Sequence, residues 1–215
     1  NKGWEISLST NNIQTKEFGW NNYLSLSFNK NMIVSIPECG RQLVNKVFLI
    51  DQGYAVGTIY GWKAKGIFPY TESNAFTPDW VQLTPVFDEK DRFVRYDLDG
   101  KEYTGEIKKM TANNAVLEGG DVMWEDKDKN GIIDAEDREV LGCGQPKVTG
   151  GFNNEFTYKG ISLSFFFTFA FGGDVYNAYE QIRSEHRWSS LNRGNPINIA
   201  NSWKAPGDIA KFPRP

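Results

Sequence analysis

The most regular pattern in the chain is an alternation of apolar and polar residues between residues 152 and 171. Large apolar side chains fill most alternate positions of residues 152–158 and every alternate position of residues 161–171, with Lys159-Gly160 between the two runs. Because side chains of a strand point alternately to the two faces of a sheet, each run predicts a strand with one apolar face. Lys-Gly suits a tight two-residue turn, so the runs predict a hairpin. The second run, of about eleven residues, is roughly long enough to cross a bilayer when tilted.

A second hairpin is predicted at the start of the chain, with a short polar connection at residues 11–19. Its apolar positions alternate with Ser, Asn and Glu and are Trp4, Ile6, Leu8, Trp20, Leu24, Leu26 and Phe28. Porin-type barrel strands show this signature of about ten alternating residues. A soluble β-sandwich shows it too, usually with shorter strands. On the pattern alone, the sandwich is the favoured interpretation.

The stretch between the two hairpins is less regular. Residues 47–50 and 57–68 are candidate strands, and whether 57–68 crosses a membrane is not decided by the pattern. Residues 92–96 and 102–107 flank Asp99-Gly100, a good turn dipeptide, and predict a small surface hairpin.

After the last strand, Gly172-Gly173 is expected to end the sheet. Asp174 could cap a short helix that runs to about Trp188. The final 27 residues are rich in Asn, Gly and Pro, and they predict a loop.

Composition excludes several classes of protein. The chain has 215 residues, enough for one large domain or two small ones, and its mean hydropathy is −0.51. No run approaches the roughly 18 apolar residues of a membrane-spanning helix. Twenty-four basic against 27 acidic residues give a net charge of −3, so no nucleic-acid partner is indicated. With 15 Phe, 9 Tyr and 7 Trp, the chain favours β-structure over disorder.

Neither end of the sequence resembles a natural terminus. Asn1 is not a start Met, no signal peptide follows it, and residues 211–215 are not a typical domain ending. We therefore expect a piece of a longer polypeptide. Cys39 and Cys143 fit two incidental free thiols better than a disulfide.

The sharpest local motif matches the calcium-loop template. Oxygen side chains occupy its positions 1, 3, 5, 9 and 12, Gly131 occupies position 6, and a backbone carbonyl serves at position 7. The predicted ligands are Asp126, Asp128, Asn130, the carbonyl of Ile132, Asp134 and Asp137. Asp at position 12 departs from the usual bidentate Glu. Residues 118–139 carry nine acids and three bases, and that density of negative charge also favours a bound Ca²⁺ or a similar hard cation. The alternative is a solvated acidic loop.

No catalytic set emerges from the sequence, so no enzyme activity is predicted. His186, the only histidine, is expected at the surface. Gly119-Gly120 and Gly150-Gly151 lack the strand-to-helix context and the Lys of a phosphate-binding loop. A glycoside hydrolase fragment would need two carboxylates at a fixed separation across a cleft, and nothing in the sequence supports that.

Taken together, these motifs resemble the SusC/RagA family of TonB-dependent outer-membrane transporters. The matching residues follow the order of the family from residue 1 to about 177, and they are the segments 1–8, 28–31, 33–35, 56–57, 60–62, 120–138, 141–142, 150–153, 156–160, 163–164 and 173–177, with Pro146. Residues 42–56 and 69–117 match loosely, as variable loops would.

The resemblance implies an all-β fold, with antiparallel strands that form part of a large transmembrane barrel of 22 strands. Residues 1–215 would supply four to six consecutive strands, incomplete at both ends, with long extracellular loops and one short helix. The apolar faces then point at lipid, and the hydroxyl-rich faces line the lumen. Short turns would be periplasmic, while the calcium-loop-like segment 118–140 and the residues after Gly172 would be extracellular. An even number of crossings must lie between the strands near 20–29 and 152–158.

The resemblance also implies the biological role. The parent protein would import nutrients, oligosaccharides most often and peptides in some members, across the outer membrane of a Bacteroidota-type bacterium. A SusD-like surface lipoprotein would cover its extracellular face, and TonB would supply energy through a plug that this sequence does not contain. The main alternative is a soluble carbohydrate-binding β-sandwich module with a structural calcium.

Overall fold

The computed structural model describes residues 1–36, 40–178 and 200–214, and the regular structure in these ranges is almost entirely β. A single 3₁₀ turn at Thr71–Ser73 is the exception among the elements of these ranges. In chain order the strands are β1 (Lys2–Gln14), β2 (Phe18–Lys30), β3 (Gln42–Val44), β4 (Phe48–Ile50), β5 (Thr58–Gly61), β6 (Ala64–Ile67), β7 (Thr84–Phe87), β8 (Phe93–Leu98), β9 (Lys101–Glu102), β10 (Thr111–Ala112), β11 (Ala115–Val116), β12 (Val122–Trp124), β13 (Ile132–Ile133), β14 (Glu139–Cys143), β15 (Val148–Tyr158) and β16 (Ile161–Phe171).

The four long strands form one antiparallel sheet in the order β1-β2-β15-β16. Both predicted hairpins are confirmed. Lys159 (φ 46°) and Gly160 (φ 84°) both take positive φ, the conformation that a two-residue hairpin turn with the twist of its strands requires. The first connection is shorter than predicted, because β1 extends to Gln14 and the Thr15 amide donates to the Phe18 carbonyl at 2.8 Å.

The strand register places the alternating apolar residues of all four strands on one face. Successive rows across the sheet are Trp4, Phe28, Val148 and Phe171, then Ile6, Leu26, Gly150 and Phe169, then Leu8, Leu24, Phe152 and Phe167. The opposite face carries rows such as Ser7, Ser25, Gly151 and Thr168. One row of the apolar face is polar over three strands, with Thr10, Asn22 and Asn154 beside Phe165.

The apolar face is exposed. Trp4 is 79% exposed, Ile161 72% and Phe167 59%. In a β-sandwich, the inner face of each sheet is packed against a second sheet. The exposure of these residues therefore contradicts the interpretation that the pattern alone favours.

β2 and β15 are direct neighbours, with Phe28 opposite Val148 and Phe18 opposite Tyr158. Residues 31–147 therefore leave the sheet and return to it at the same end. Among the described residues of this stretch, no strand is longer than six residues and none joins the long sheet. Residues 57–68 are not one long strand, since they divide into β5 and β6, of four residues each.

The chain divides into two compact units by its internal contacts. The first comprises residues 1–60 and 140–176, and the second comprises residues 61–139 and 177–215. In addition to the long sheet, the first unit contains β3, β4 and most of β5, which belong to a sheet of order β14-β5-β4-β3 that buries Leu49.

The second unit has its own small core, formed by Phe68, Phe76, Met110, Leu117 and Ile133. Asn74 is fully buried within this unit. Its amide nitrogen donates to the carbonyls of Met110 (2.9 Å) and Leu117 (2.7 Å), and its oxygen accepts the Met110 amide at 2.8 Å. This one side chain therefore joins three stretches of irregular backbone.

The surface hairpin predicted around Asp99-Gly100 is present as β8 and β9, with positive φ at both turn residues. It is part of a three-stranded sheet that also contains β7. The second strand ends at Glu102, earlier than predicted. Elsewhere in the second unit, β10 pairs with β13 in parallel, although antiparallel pairs predominate in the described residues.

The predicted helix start at Asp174 is wrong. Residues 174–177 are not helical, because Asp174 is held against β14 instead: its amide donates to the Cys143 carbonyl at 2.8 Å, and its carboxylate accepts the Cys143 amide at 2.9 Å. Most of the predicted helix, from residue 179 onward, lies outside the described residues, as do His186 and Cys39, while Cys143 is a free thiol. Within the described ranges, the structure contains no helix with the length and apolar character needed to span a bilayer.

Candidate functional site

The predicted calcium loop directly follows β12 and folds around its own carboxylates. The carboxylate of Asp126 accepts the backbone amides of Gly131 at 2.7 Å and Asn130 at 3.3 Å. Gly131 takes φ +81°, which L side chains rarely adopt, so the sharp turn predicted at position 6 is present. The side chain of Asn130 donates to Asp128 at 2.7 Å and accepts the Ile132 amide at 2.6 Å.

Asp137 closes the loop from its far end. It is only 2% exposed, and its two carboxylate oxygens accept the amides of Lys127 and Asp134, each at 2.8 Å. The shorter side chain at position 12 therefore reaches the centre of the loop, and it ties both ends of the loop to one buried group.

Three of the predicted ligands come together. One carboxylate oxygen each from Asp126, Asp128 and Asp137 lie within 4.8 Å of one another. Burial raises the pKa of Asp126, and a hydrogen bond with Asp128 raises it further, against the backbone amides that lower it. Asn130 joins the group through its bond to Asp128, while the carboxylate of Asp134 is not part of this group and accepts the Glu136 amide at 2.8 Å. Ile132 contributes its amide to the loop's hydrogen bonds.

Aromatic residues distant in sequence support the loop. The ring of Trp80 lies against Gly131, so that a Cβ at residue 131 would overlap the ring. The indole of Trp62 donates to the Asp134 carbonyl, and the guanidinium of Arg138 lies 4.0 Å above the Trp62 ring. The motif gave no signal for either tryptophan, because both approach the loop only through the packing of the second unit.

An ion pair lies beside the loop. The Lys63 ammonium is 2.8 Å from the Glu125 carboxylate and 3.8 Å from that of Glu139. The hydrogen bond to Glu125 raises the pKa of Lys63, and Lys63 in turn lowers the pKa of Glu125. Both side chains are partly exposed, so this is a surface ion pair beside the start of the loop and not a buried charged site.

The second candidate surface is the apolar face of the long sheet. Its large residues are ordered in rows by the strand register, and they stay exposed along β1 and β16. The loops at one end of the sheet are tight turns, and those at the other end contain the whole insertion of residues 31–147. Such a surface offers contact with an apolar medium.

Comparisons with known proteins identify the kind of chain that carries these surfaces. The chain is 39% identical to TonB-dependent receptor P39 of Formosa agariphila over 99% of its own length. It is 27% identical to TonB-dependent receptor P3 of the same organism over its whole length. The chain spans about a fifth of the length of these curated relatives. No family model matches it.

A solved structure shares the fold. A chain in the structure of the RagAB peptide importer in the 'closed-closed' state matches 98% of this chain with a TM-score of 0.53 and 16% identity. The match covers 20% of that chain. This structure shows the shared fold, and the identity to TonB-dependent receptors over nearly the whole of this chain confirms the resemblance predicted from the motifs: the chain fits a SusC/RagA-type fragment of such a receptor.

Proposed function

We propose that this chain forms part of the wall of an outer-membrane β-barrel that imports nutrients with energy supplied through TonB. The observation that carries the proposal is the register of the long sheet, which gathers large apolar side chains from four strands onto one exposed face. A barrel wall needs lipid-facing apolar residues that alternate with lumen-facing polar ones. The face with Ser25, Ser27 and Thr168 would line the lumen, and no catalysis by this chain is needed.

The connections support one orientation in the membrane. Large barrels of this class keep short turns on the periplasmic side and long loops outside. The turns at residues 15–17 and 159–160 are therefore assigned to the periplasm. The insertion of residues 31–147, including segment 118–140, is assigned to the cell exterior.

The cargo and the partners follow from the family rather than from individual residues. We assign oligosaccharides as the principal cargo class, and peptides as the second because the matched solved structure is a peptide importer. A SusD-like lipoprotein would cover the extracellular side. TonB would act on a plug that lies elsewhere in the full-length receptor.

Peptide tags in the full-length receptor test the wall and its orientation. A tag inserted after Gly100, at an open turn of the insertion, should bind antibody on intact cells. A tag inserted after Gly160 should bind antibody only after the outer membrane is permeabilised. Detection of both tags in lysates is the control for expression. Recovery of the receptor in the soluble fraction, or equal labelling of the two tags on intact cells, would contradict the proposal.

Uptake assays test the cargo. Deletion of the receptor gene should abolish growth on one class of oligosaccharide or peptide and leave growth on its monomers unchanged. Growth that is unchanged on all of these substrates would reject nutrient import. Co-purification of a surface lipoprotein with the tagged receptor tests the partner.

We also propose that residues 126–137 bind Ca²⁺ as a structural brace. Calcium takes oxygen ligands at 2.3–2.6 Å, so two ligands of one ion can lie up to about 5 Å apart. The 4.8 Å limit within which the oxygens of Asp126, Asp128 and Asp137 lie is compatible with that spacing. Each carboxylate oxygen of Asp137 that accepts one amide keeps a second lone pair for a cation.

Limited proteolysis of the full-length receptor in Ca²⁺ or in chelator tests the brace. Wild-type receptor should lose protease resistance within residues 61–139 when calcium is removed, and Asp126→Asn/Asp128→Asn should show no calcium effect. Glu136→Gln is the matched control, because it removes one charge from the same loop at a position that the motif does not use as a ligand. A wild-type receptor that is indifferent to calcium would refute the brace and leave the barrel proposal intact.

A further inference from the structure

A cavity of about 810 Å³ lies at the end of the long sheet from which the insertion departs. All of its lining belongs to the first unit. Trp4 and Phe28, from the first row of the apolar face, line it together with Tyr54 and Pro146. The cavity therefore continues the apolar face at the point where the strands end.

Lysines surround this cavity. Lys2 and Lys30 are register partners, one row beyond Trp4 and Phe28 and on the same face, and Lys147 adds a third cation to the lining. Lys2 and Lys30 have no ion-pair partner among the described residues. Like charges directly opposite each other on two strands repel, so the pair favours an anion between them.

The lining offers little internal compensation for these charges. Its one acid is Asp174, and a carboxylate oxygen of that residue already accepts the Cys143 amide at 2.9 Å. Three lysines against one aspartate leave the cavity cationic. Its charge therefore complements a ligand that carries at least one negative group.

The order of side chains along the strands matches a bilayer in cross-section. Large apolar residues occupy successive rows, an exposed indole at Trp4 follows, and the lysine pair comes last. Hydrocarbon, interface and charged headgroup follow in the same order at a membrane surface, where Trp and Lys are the usual anchoring residues.

We propose that this cavity binds the phosphate-bearing headgroup of an anionic membrane lipid. Lys2 and Lys30 would pair with the phosphate, and an acyl chain would lie along Trp4 and Phe28. The inference rests on the proposed function, because it needs the apolar face to contact lipid. A lysine near an anionic lipid surface strengthens binding by about fivefold, so the pair should give a clear preference for anionic over zwitterionic lipid.

Fluorescence quenching in the full-length receptor tests the site. The receptor is reconstituted into phosphatidylcholine vesicles that contain brominated phosphatidylglycerol or, at equal mole fraction, brominated phosphatidylcholine. The fluorescence of Trp4 is obtained as the difference in emission between wild type and Trp4→Phe. Brominated phosphatidylglycerol should quench that signal several-fold more strongly, and high salt should reduce the difference.

Lysine variants assign the preference to the site. In Lys2→Gln/Lys30→Gln, the two brominated lipids should quench the Trp4 fluorescence equally. The control Lys46→Gln/Lys101→Gln, which removes two exposed lysines outside the cavity, should keep the wild-type preference. A preference that survives in Lys2→Gln/Lys30→Gln would overturn the site.

The remaining outcomes separate this proposal from the proposed function. Equal quenching of wild-type Trp4 by both lipids would reject an anionic-lipid site, while the face would still contact the membrane. No quenching by either lipid would reject the membrane contact itself, and both proposals would fail together. If soluble phosphate changes the Trp4 fluorescence in lipid-free detergent, and the vesicles show no lipid preference, the cavity would be assigned to a soluble anion instead.

Discussion

Phe28 and Val148 face each other across the β2–β15 ladder, although the whole insertion of residues 31–147 separates them in the sequence. Their pairing keeps the four long strands contiguous, so the rows of the apolar face run from β1 to β16, apart from the row that is polar over three strands. The insertion can then form its own small core without interrupting the sheet. A sheet of long regular strands and a second unit with its own core are thus encoded in one chain.

The two faces of β16 should respond oppositely to charge. Phe167 lies on the apolar face in the row of Leu24 and Phe152, and its neighbour Thr168 lies on the polar face. Phe167→Arg should destabilise the folded full-length receptor by about 2–4 kcal/mol, the cost of Arg on the lipid face near mid-membrane. Thr168→Arg should cost much less, since its side chain would enter the lumen. Heat-modifiability on gels measures the folded fraction, and a larger loss in Thr168→Arg would show that the faces are reversed.

Alternation alone predicted which residues of the long sheet share a face. Period-two patterns are local, so residues 152–171 specify both strands, and Lys159-Gly160 specifies the turn between them. The pairing of Phe28 with Val148 could not be predicted in this way, because a ladder between distant strands depends on where the intervening residues fold.

The insertion was predicted less well. Its strands are two to six residues long, too short for alternation to be distinguished from chance. The structure has a sharp turn at Gly131 and brings Asp126, Asp128 and Asp137 close together, while their role as calcium ligands stays a prediction. The contacts of Trp62 and Trp80 with that loop depend on tertiary packing, for which the local sequence carries no pattern.

Asn74 should be among the most sensitive positions of the insertion. Asn74→Ala leaves the carbonyls of Met110 and Leu117 and the amide of Met110 without their partner in a fully buried place. Each unsatisfied buried group costs about 1–3 kcal/mol, so the loss should be at least about 3 kcal/mol. Limited proteolysis of residues 61–139 in the full-length receptor measures it. Gln82→Ala, which removes the two long bonds of an exposed amide to the Ser73 carbonyl (3.2 Å) and the Met123 sulfur (3.6 Å), is the control and should change little.

The loop between β7 and β8 should lose order in acid. The Arg92 side chain, and then the amides of Arg92 and Lys90, lower the pKa of Asp88. A carboxyl whose folded pKa lies below its unfolded value, about 3.9, stabilises the fold fully above that value. The contribution is lost as the pH falls through the lower, folded pKa.

Amide hydrogen exchange measures this loss. Protection of the Arg92 amide should persist at pH 5 and disappear only below about pH 4. In Asp88→Asn, protection should be weaker and independent of pH across this range, while the exposed Asp79→Asn should behave as wild type. Protection in wild type that falls already between pH 6 and 5 would contradict the assignment to Asp88.

Two glycines in similar conformations should differ sharply in their tolerance of a methyl group. Gly131 and Gly100 take φ of +81° and +77°, so an alanine at either position pays the left-handed backbone cost of about 1–2 kcal/mol. A Cβ at Gly100 meets nothing within 4 Å, whereas a Cβ at Gly131 would overlap the Trp80 ring. Gly131→Ala should therefore cost clearly more than Gly100→Ala, as measured by proteolysis of the insertion.

The double variant Trp80→Ala/Gly131→Ala isolates the cause of that difference. If the overlap with the ring is the reason, the effects of the two substitutions should be strongly non-additive, because Gly131→Ala becomes as mild as Gly100→Ala once the ring is absent. Additive effects would show that Trp80 does not restrict the loop. In that case the turn at Gly131 would be maintained by its hydrogen bonds to the Asp126 carboxylate and from the Thr111 amide, and Trp80 would have no part in its stability.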